Sequence, residues 1–274
     1  MYPCLWFESG AKEAADFYCS VFKDARILSE SPIVATFELS GTKFMALNGG
    51  PMYRVNPAVS YFVYCGSDTE IDRIYAALAE GGQVLMALDT YDWAEKYAWL
   101  TDRYGVSWQL DRDDINSTQK IVPSFLFANE KMALVKRAMT HYAGIFKSSR
   151  ILLEAPYPES ADVPDGMLLF AQFKLNDFIF NAMSSTYPHE FDFTHGNSFV
   201  IECETQDEID HYWNRLGEGG EFSMCGWLAD KYGISWQVIP AVLAELMADP
   251  EKGPRVVQAF LKMQKFDIEA LLKA

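Results

Sequence analysis

A twelve-residue string occurs twice in this 274-residue chain, and that repetition limits the folds open to it more than any other feature. Trp99-Leu-Thr-Asp-Arg-Tyr-Gly-Val-Ser-Trp-Gln-Leu110 returns as Trp227-Leu-Ala-Asp-Lys-Tyr-Gly-Ile-Ser-Trp-Gln-Val238, with eight of the twelve positions identical. Upstream, Ser60-Tyr-Phe-Val-Tyr-Cys65 matches Ser198-Phe-Val-Ile-Glu-Cys203. Both continue through Glu-Ile-Asp (Glu70 to Asp72, Glu208 to Asp210) to Glu-Gly-Gly (Glu80 to Gly82, Glu218 to Gly220). Phe37-x-Leu39 with Phe44-x-Ala46 matches Phe173-x-Leu175 with Phe180-x-Ala182, while Pro3 and Arg26-Ile27 correspond to Pro123 and Arg150-Ile151. Ordered anchors at a nearly constant offset identify a tandem duplication, its joint near residues 114–122. The expected organisation is one repeat over residues 1–118, a second over 119–240 and a helical tail over 241–274.

Within each repeat the periodicity alternates between strand and helix. Pro3 to Phe7 reads as a short apolar strand, and Ala11, Ala15, Tyr18 and Phe22 then form one helical stripe. Val34 to Leu39 and Phe44 to Asn48 flank Ser40-Gly41-Thr42-Lys43 and predict a hairpin. Ser67-x-x-Glu70 after the next strand is a capping box, repeated as Thr205-x-x-Glu208. The helices that follow stop at Gly-Gly, where a left-handed residue is expected. Val106 to Leu110 and Ile234 to Ile239 close the units as strands, and Ala241 to Met247 and Pro254 to Leu272 read as helices packed on the sheet or the other repeat. The class is α+β, with each repeat two βαβββ halves.

Composition removes several roles. A hydrophobic share of 50% with 15% aromatic residues supports packed cores. Lys plus Arg less Asp plus Glu is 23 − 38 = −15, and a body this acidic repels phosphate backbones and anionic lipid, so neither nucleic acid nor a membrane is an expected partner. The first residues lack a basic segment followed by an apolar run, and a cytoplasmic location is expected. Cys4, Cys19, Cys65, Cys203 and Cys225 are odd in number and widely spaced, which argues for reduced thiols.

The helix carrying Asp16-Phe17-Tyr18 and Phe22, the hairpin into Phe44-Met-Ala-Leu-Asn-Gly-Gly-Pro51, and Cys225-Gly-Trp-Leu-Ala-Asp-Lys-Tyr-Gly-Ile-Ser-Trp-Gln237 resemble the PhnB-like branch of the vicinal oxygen chelate superfamily. This is the glyoxalase, bleomycin-resistance and extradiol-dioxygenase fold, and branch members often carry the label 3-demethylubiquinone-9 3-methyltransferase. The resemblance implies tandem glyoxalase-like domains of paired βαβββ modules, with a curved mixed sheet enclosing a pocket. In glyoxalase-like members a divalent metal is held by His on the first strand, His or Glu on the strand before the second helix, and Glu on the last strand. The matching positions here are Pro3 (or Cys4), Ser60 and Gln109, then Pro123 (or Ser124), Ser198 and Gln237. Neutral amides and hydroxyls bind a divalent ion poorly, so neither a metal nor another cofactor is expected. No G-x-G-x-x-G occurs, so the methyltransferase label finds no dinucleotide-type motif to support it.

The residues left as ligand-binding candidates are Asn48, Gly49, Ser60, Trp108, Gln109, Ser198, Cys225, Trp236 and Gln237. Asn48-Gly49-Gly50-Pro51 either ends a strand or sets amides at a pocket mouth. Trp108 and Trp236 are core aromatics or pocket walls, and Gln109 and Gln237 should face the concave side. Cys225 is the one candidate nucleophile, but no motif supplies a base for it. It belongs to a motif intact only in the second repeat; the first has an insert with Tyr91, Trp93 and Tyr97 there, whereas Asn48-Gly49 occurs only in the first, so one composite or surviving pocket is expected. His189 and His195 fall in a solvated loop, six residues apart and unable to share an ion without a bend. The expected activity is binding of a small, partly aromatic or apolar molecule. The alternative is a metal- or thiol-dependent enzyme, and self-association as a homodimer stays open.

Overall fold

A computed structural model describes residues 1–274. Two compact units form, one from Pro3–Asn197 and one from Met1–Tyr2 with Ser198–Ala274. The boundary does not fall at the joint between the sequence repeats, because strands from the two repeats share one sheet.

In chain order the first repeat gives β1 (Tyr2–Phe7), α1 (Ala11–Val21), β2 (Arg26–Glu30), β3 (Val34–Leu39), β4 (Thr42–Asn48), β5 (Val59–Tyr64), α2 (Asp68–Ala79), β6 (Gln83–Tyr91), β7 (Ala94–Thr101) and β8 (Ser107–Asp111). The second gives β9 (Ile121–Phe127), a 3₁₀ turn over Asn129–Leu134, α3 (Val135–Ala143), β10 (Ser149–Pro156), β11 (Leu168–Leu175), β12 (Phe178–Ser184), β13 (Asn197–Cys203), α4 (Gln206–Gly217), β14 (Glu221–Phe222), β15 (Trp227–Ala229) and β16 (Ser235–Pro240). The tail adds α5 (Leu243–Ala248), α6 (Gly253–Phe260) and α7 (Ile268–Leu272). The tail segment Pro254 to Leu272, read as a short helix, divides into α6 and α7 with a break between Phe260 and Ile268.

Within Pro3–Asn197 an eight-stranded mixed sheet runs β10-β11-β12-β9-β5-β8-β7-β6. Its first four strands come from the second repeat and its last four from the first. The exchange occurs at β5, which pairs parallel with β8 of its own repeat and antiparallel with β9 of the other. The same unit holds β1-β4-β3-β2 with α1. Tyr18 of α1, Phe37, Phe44, Tyr61 and Trp108 form a continuous aromatic core, with successive ring centroids 5.3 to 6.0 Å apart. Farther along the same face Phe125, Phe180, Phe173 and Tyr142 of α3 continue it.

Both capping boxes form as their sequence pattern requires. Ser67 accepts from the Glu70 amide while Glu70 accepts from the Gly66 amide, and Thr205 and Glu208 repeat the exchange. Gly81 and Gly219 are left-handed, with φ of 74° and 75°, where the helices stop.

The second unit carries β14-β15-β16 and β13 under α4, with α5 to α7 as its tail. Its β14 and β15 are far shorter than β6 and β7. Beyond them the tail takes the edge: the Cys225 and Gly226 amides donate to the Met263 and Gln264 carbonyls at 2.7 Å each. Gly226 is obligatory, because a Cβ there would lie 2.5 Å from the Val238 carbonyl and 2.7 Å from Phe266.

Candidate functional site

Period-two alternation divides every strand of the eight-stranded sheet between two faces. Trp108 and Tyr61 point to the aromatic core. Ser60, Gln109 and their neighbours in register point to the other face. There one polar side chain per strand lines up across six strands: Gln172 opposite Asn181, Asn181 opposite Ser124, Ser124 opposite Ser60, Ser60 opposite Ser107, and Ser107 opposite Thr101. Ser60, Ser107 and Ser124 are 1% exposed and Asn181 0%. Burial of so many polar groups costs free energy unless each is hydrogen-bonded, and such a row is foreign to a simple core.

The sheet curls around this row. Gln109 on β8 donates to the Met183 sulfur on β12 at 3.6 Å, and the Phe62 and Phe170 rings of β5 and β11 approach to 6.0 Å. Each pair is three strand spacings apart in the ladder, roughly 14 Å on a flat sheet. Side chains can meet over that interval only across a concave surface. The result is a concave hollow with a polar floor, and the Phe62, Tyr64, Tyr97 and Val122 side chains pack over it as one buried cluster.

Its hydrogen bonds form a neutral network. Gln109 donates from Nε2 to Ser60 Oγ at 2.6 Å, and its Oε1 accepts from the Tyr97 hydroxyl. Asn181 Nδ2 donates to the Tyr64 hydroxyl at 3.2 Å, and its Oδ1 accepts from Gln172 Nε2 at 3.0 Å. Burial is the first cause that raises the Tyr97 hydroxyl well above the usual phenol range and pushes Tyr64 up to about 12, so both hydroxyls remain neutral at physiological pH. Ser124 Oγ, buried on the same floor, has no partner. A donor set of amides and hydroxyls offers no anionic oxygen or imidazole to repay dehydration of a divalent ion, so these residues do not fit the superfamily's metal.

At the rim this face turns acidic, with Asp111 on β8, Glu95 on β7 and Asp89 on β6. Asp111 lies two residues beyond Gln109 on β8, in register with Tyr64 and Tyr97. Burial, then the neighbouring Asp113 charge, pushes it up to about 6.

In the second unit Gln237 Nε2 donates to Ser198 Oγ at 2.9 Å, the same pairing as Gln109 with Ser60. The partner that would match Tyr97 is Cys225. Its sulfhydryl instead donates to the Phe260 carbonyl at 3.7 Å, its backbone is left-handed at φ 58°, and burial raises the thiol pKa. A thiol held so is a poor nucleophile.

Four of the sequence candidates need correction. Trp108 and Trp236 are not pocket walls: each is fully buried on the core side, its indole N–H donating to Asp102 or Asp230 at 2.8 and 2.9 Å. Adjacent strand residues face opposite ways, so a Trp-Gln pair could never put both in the hollow. Asn48 is a helix-capping residue whose Oδ1 accepts from the Ala11 amide at 2.8 Å and whose Nδ2 donates to the Pro32 carbonyl at 2.9 Å. Gly49 serves close packing, since a Cβ there would lie 2.1 Å from the Trp6 ring. Of the histidines, His189 pairs with Ser185 Oγ at 2.9 Å and His195 packs edge-on against Tyr53.

Asp102 was invisible as a functional part of the repeated motif. Its carboxylate accepts from the Tyr18 hydroxyl and Trp108 indole at 2.8 Å each, and from the Tyr104 and Val106 amides at 2.8 and 3.1 Å. The readable signal is Asp followed three residues later by Gly, the pattern of a carboxylate that closes its own turn. It locks the core face of β8 and so presents Gln109 to the hollow.

The sequence profile of the family described as 3-demethylubiquinone-9 3-methyltransferase matches residues 1–111 and again 119–239. The chain belongs to that family. A PhnB protein of Bacillus cereus described under the same heading is 37% identical, over 41% of this chain and 98% of its own, with a TM-score of 0.40. Protein PA1353 from Pseudomonas aeruginosa is 25% identical over 40% of this chain and 94% of its own, with a TM-score of 0.36. Glyoxalase I from Zea mays is similar over 91% of this chain and 95% of its own at 12% identity, with a TM-score of 0.57, which establishes a shared glyoxalase-like fold. Among curated protein sequences none is significantly similar to the chain. No helix of this family member is long and apolar enough to cross a membrane.

Proposed function

We propose that this methyltransferase-family chain binds a small organic molecule in the hollow of the eight-stranded sheet, without a catalytic metal there. The observation that supports it is the buried row from Gln172 to Thr101, whose hydroxyl at Ser124 lacks a partner. A ligand supplies that partner, and the Phe62, Tyr64, Tyr97 and Phe170 rings supply apolar and stacking contact. Methyl transfer from S-adenosylmethionine, suggested by the family description, would call for a glycine-rich turn between a parallel strand and a helix, and the chain has none. A thiol-dependent reaction at Cys225 is disfavoured by the contacts of its sulfur and backbone with the tail.

Metal retention tests the reading. After incubation with zinc, manganese or nickel and gel filtration, elemental analysis should find well under one ion per chain, because no strong ligand set lines the floor. One ion per chain that disappears in Gln109→Ala would overturn it.

A further inference from the structure

We propose that the linker between the two repeats, residues 113–119, is the gate of this hollow, with Ile115 as its plug and Lys120 as its latch. This rests on the reading of the hollow as a ligand site and adds the route by which a ligand enters. The hollow is shut at the rim, where Phe62, Tyr64, Tyr97 and Val122 are each no more than 8% exposed. A ligand reaches the floor from this end only if part of that packing gives way.

The order of residues marks the part that can. From Arg112 to Lys120 the chain reads Arg-Asp-Asp-Ile-Asn-Ser-Thr-Gln-Lys, and Ile115 is its one strongly apolar side chain. Ile115 is partly buried and packs against the cluster. The other members of that packing stand on β5, β6, β7, β9, β11 and β12, where a ladder holds each backbone. Ile115 alone lies on unpaired chain.

The linker is fastened at its ends and loose between them. At one end the Cys65 amide donates to the Asp111 carbonyl at 2.8 Å, and the Arg112 amide to the Lys96 carbonyl at 2.9 Å. At the other the Tyr64 amide donates to the Lys120 carbonyl at 3.0 Å. There Gln119 also clamps β12, accepting from the Ile179 amide at 2.8 Å and donating to the Ile179 carbonyl at 2.9 Å. Over residues 113–118 no backbone amide or carbonyl bonds to a strand. One bond reaches that stretch of backbone: the Lys120 ammonium donates to the Ile115 carbonyl, while lying 3.8 Å from the Asp114 carboxylate. So few bonds and so little buried apolar surface give a segment low local stability. It also has room to move. A cavity of about 450 Å³ separates Ser117 and Thr118 from Phe22 and Ile74, and one of about 330 Å³ lies between Asp113 and Trp93.

Stopped-flow mixing with N-phenylnaphthylamine, a neutral aromatic dye, tests the gate in the wild-type chain, Ile115→Ala, Lys120→Gln and Phe170→Ala. Ile115 and Lys120 lie outside every strand, so their substitution leaves the sheet intact, and Phe170 on the hollow's wall locates the dye. Ile115→Ala should speed association and dissociation each about tenfold while Kd stays within about threefold, because the plug closes the free and the filled hollow alike. Lys120→Gln should speed both about threefold, and Phe170→Ala should weaken binding at least about fivefold. Unchanged rates in either linker variant, or a change in one rate alone, overturn the gate and leave the hollow standing if Phe170→Ala still weakens binding. Dye that binds no form of the chain, or binds Phe170→Ala as tightly as wild type, overturns the hollow and the gate together.

Discussion

Asp102→Ala should destabilise the chain by about 4 kcal/mol, one of the largest losses any single substitution outside the apolar core will produce. The carboxylate is 4% exposed and accepts four hydrogen bonds. Truncation strands the Tyr18 hydroxyl and the Trp108 indole N–H inside an aromatic cluster that has no other acceptor for them, and it frees two turn amides. Each buried donor left alone costs about 1–3 kcal/mol, partly relieved where water reaches the turn. Asp102→Asn rescues only part of it, because the amide oxygen can still accept from the Tyr104 and Val106 amides but the NH2 then meets the Trp108 indole N–H, a donor facing a donor. Burial, the first cause, holds the Asp102 pKa above the usual carboxylate range despite the four donors, so the group stays in place through its contacts rather than through cheap ionisation. Asp230→Ala should behave alike, because Asp230 accepts from the Trp236 indole and the Tyr232 and Ile234 amides. Urea titration followed by tryptophan fluorescence measures both, and a shift of the midpoint at constant slope is the expected form. A loss below about 1 kcal/mol would show that the motif's aspartate is dispensable.

Gln109→Glu should cost about 3 kcal/mol at neutral pH, although the two side chains are nearly the same shape. Gln109 is 1% exposed, and it both donates to Ser60 and accepts from Tyr97. The carboxylate keeps the acceptor, loses the donor and brings an unpaired charge into a neutral network. A buried carboxyl has a raised pKa in the folded state, so the folded chain binds the extra proton first. Stability therefore rises as the pH falls toward the carboxyl's unfolded value, and the deficit against wild type shrinks in acid. Zinc or manganese should leave the deficit unchanged, since Ser60, Ser124 and Asn181 add no anionic ligand. Recovery of stability on adding either metal would mean that the hollow still has the geometry of an ion site.

Local features were legible in the sequence wherever a short-range rule decides them. Both capping boxes, the left-handed stops at Gly81 and Gly219 and the inward-facing Gln109 follow from the order of residues alone. The exchange of strands between the repeats was not legible. Alternation along β5 fixes which face Ser60 takes, but it does not say that β9 of the other repeat lies beside it. Nor did local pattern reveal that Asn48 would be spent on the α1 amide at Ala11, because such a cap joins residues 37 positions apart. Trp108 is different in kind: its placement beside Gln109 already excluded it from the hollow, and the period of two was enough to say so. The shortened β14 and β15 explain why the halves differ, since the edge occupied by the β6–β7 hairpin in one is met by the chain near Met263 in the other.

Native mass spectrometry of the freshly purified chain, with and without chelator, tests most directly whether the hollow is a metal-free binding site. The expected spectrum contains bare chain and an adduct of small-molecule mass that survives chelator and is lost in Gln109→Ala. A divalent ion bound one to one, stripped by chelator and absent from the same variant, would contradict the account.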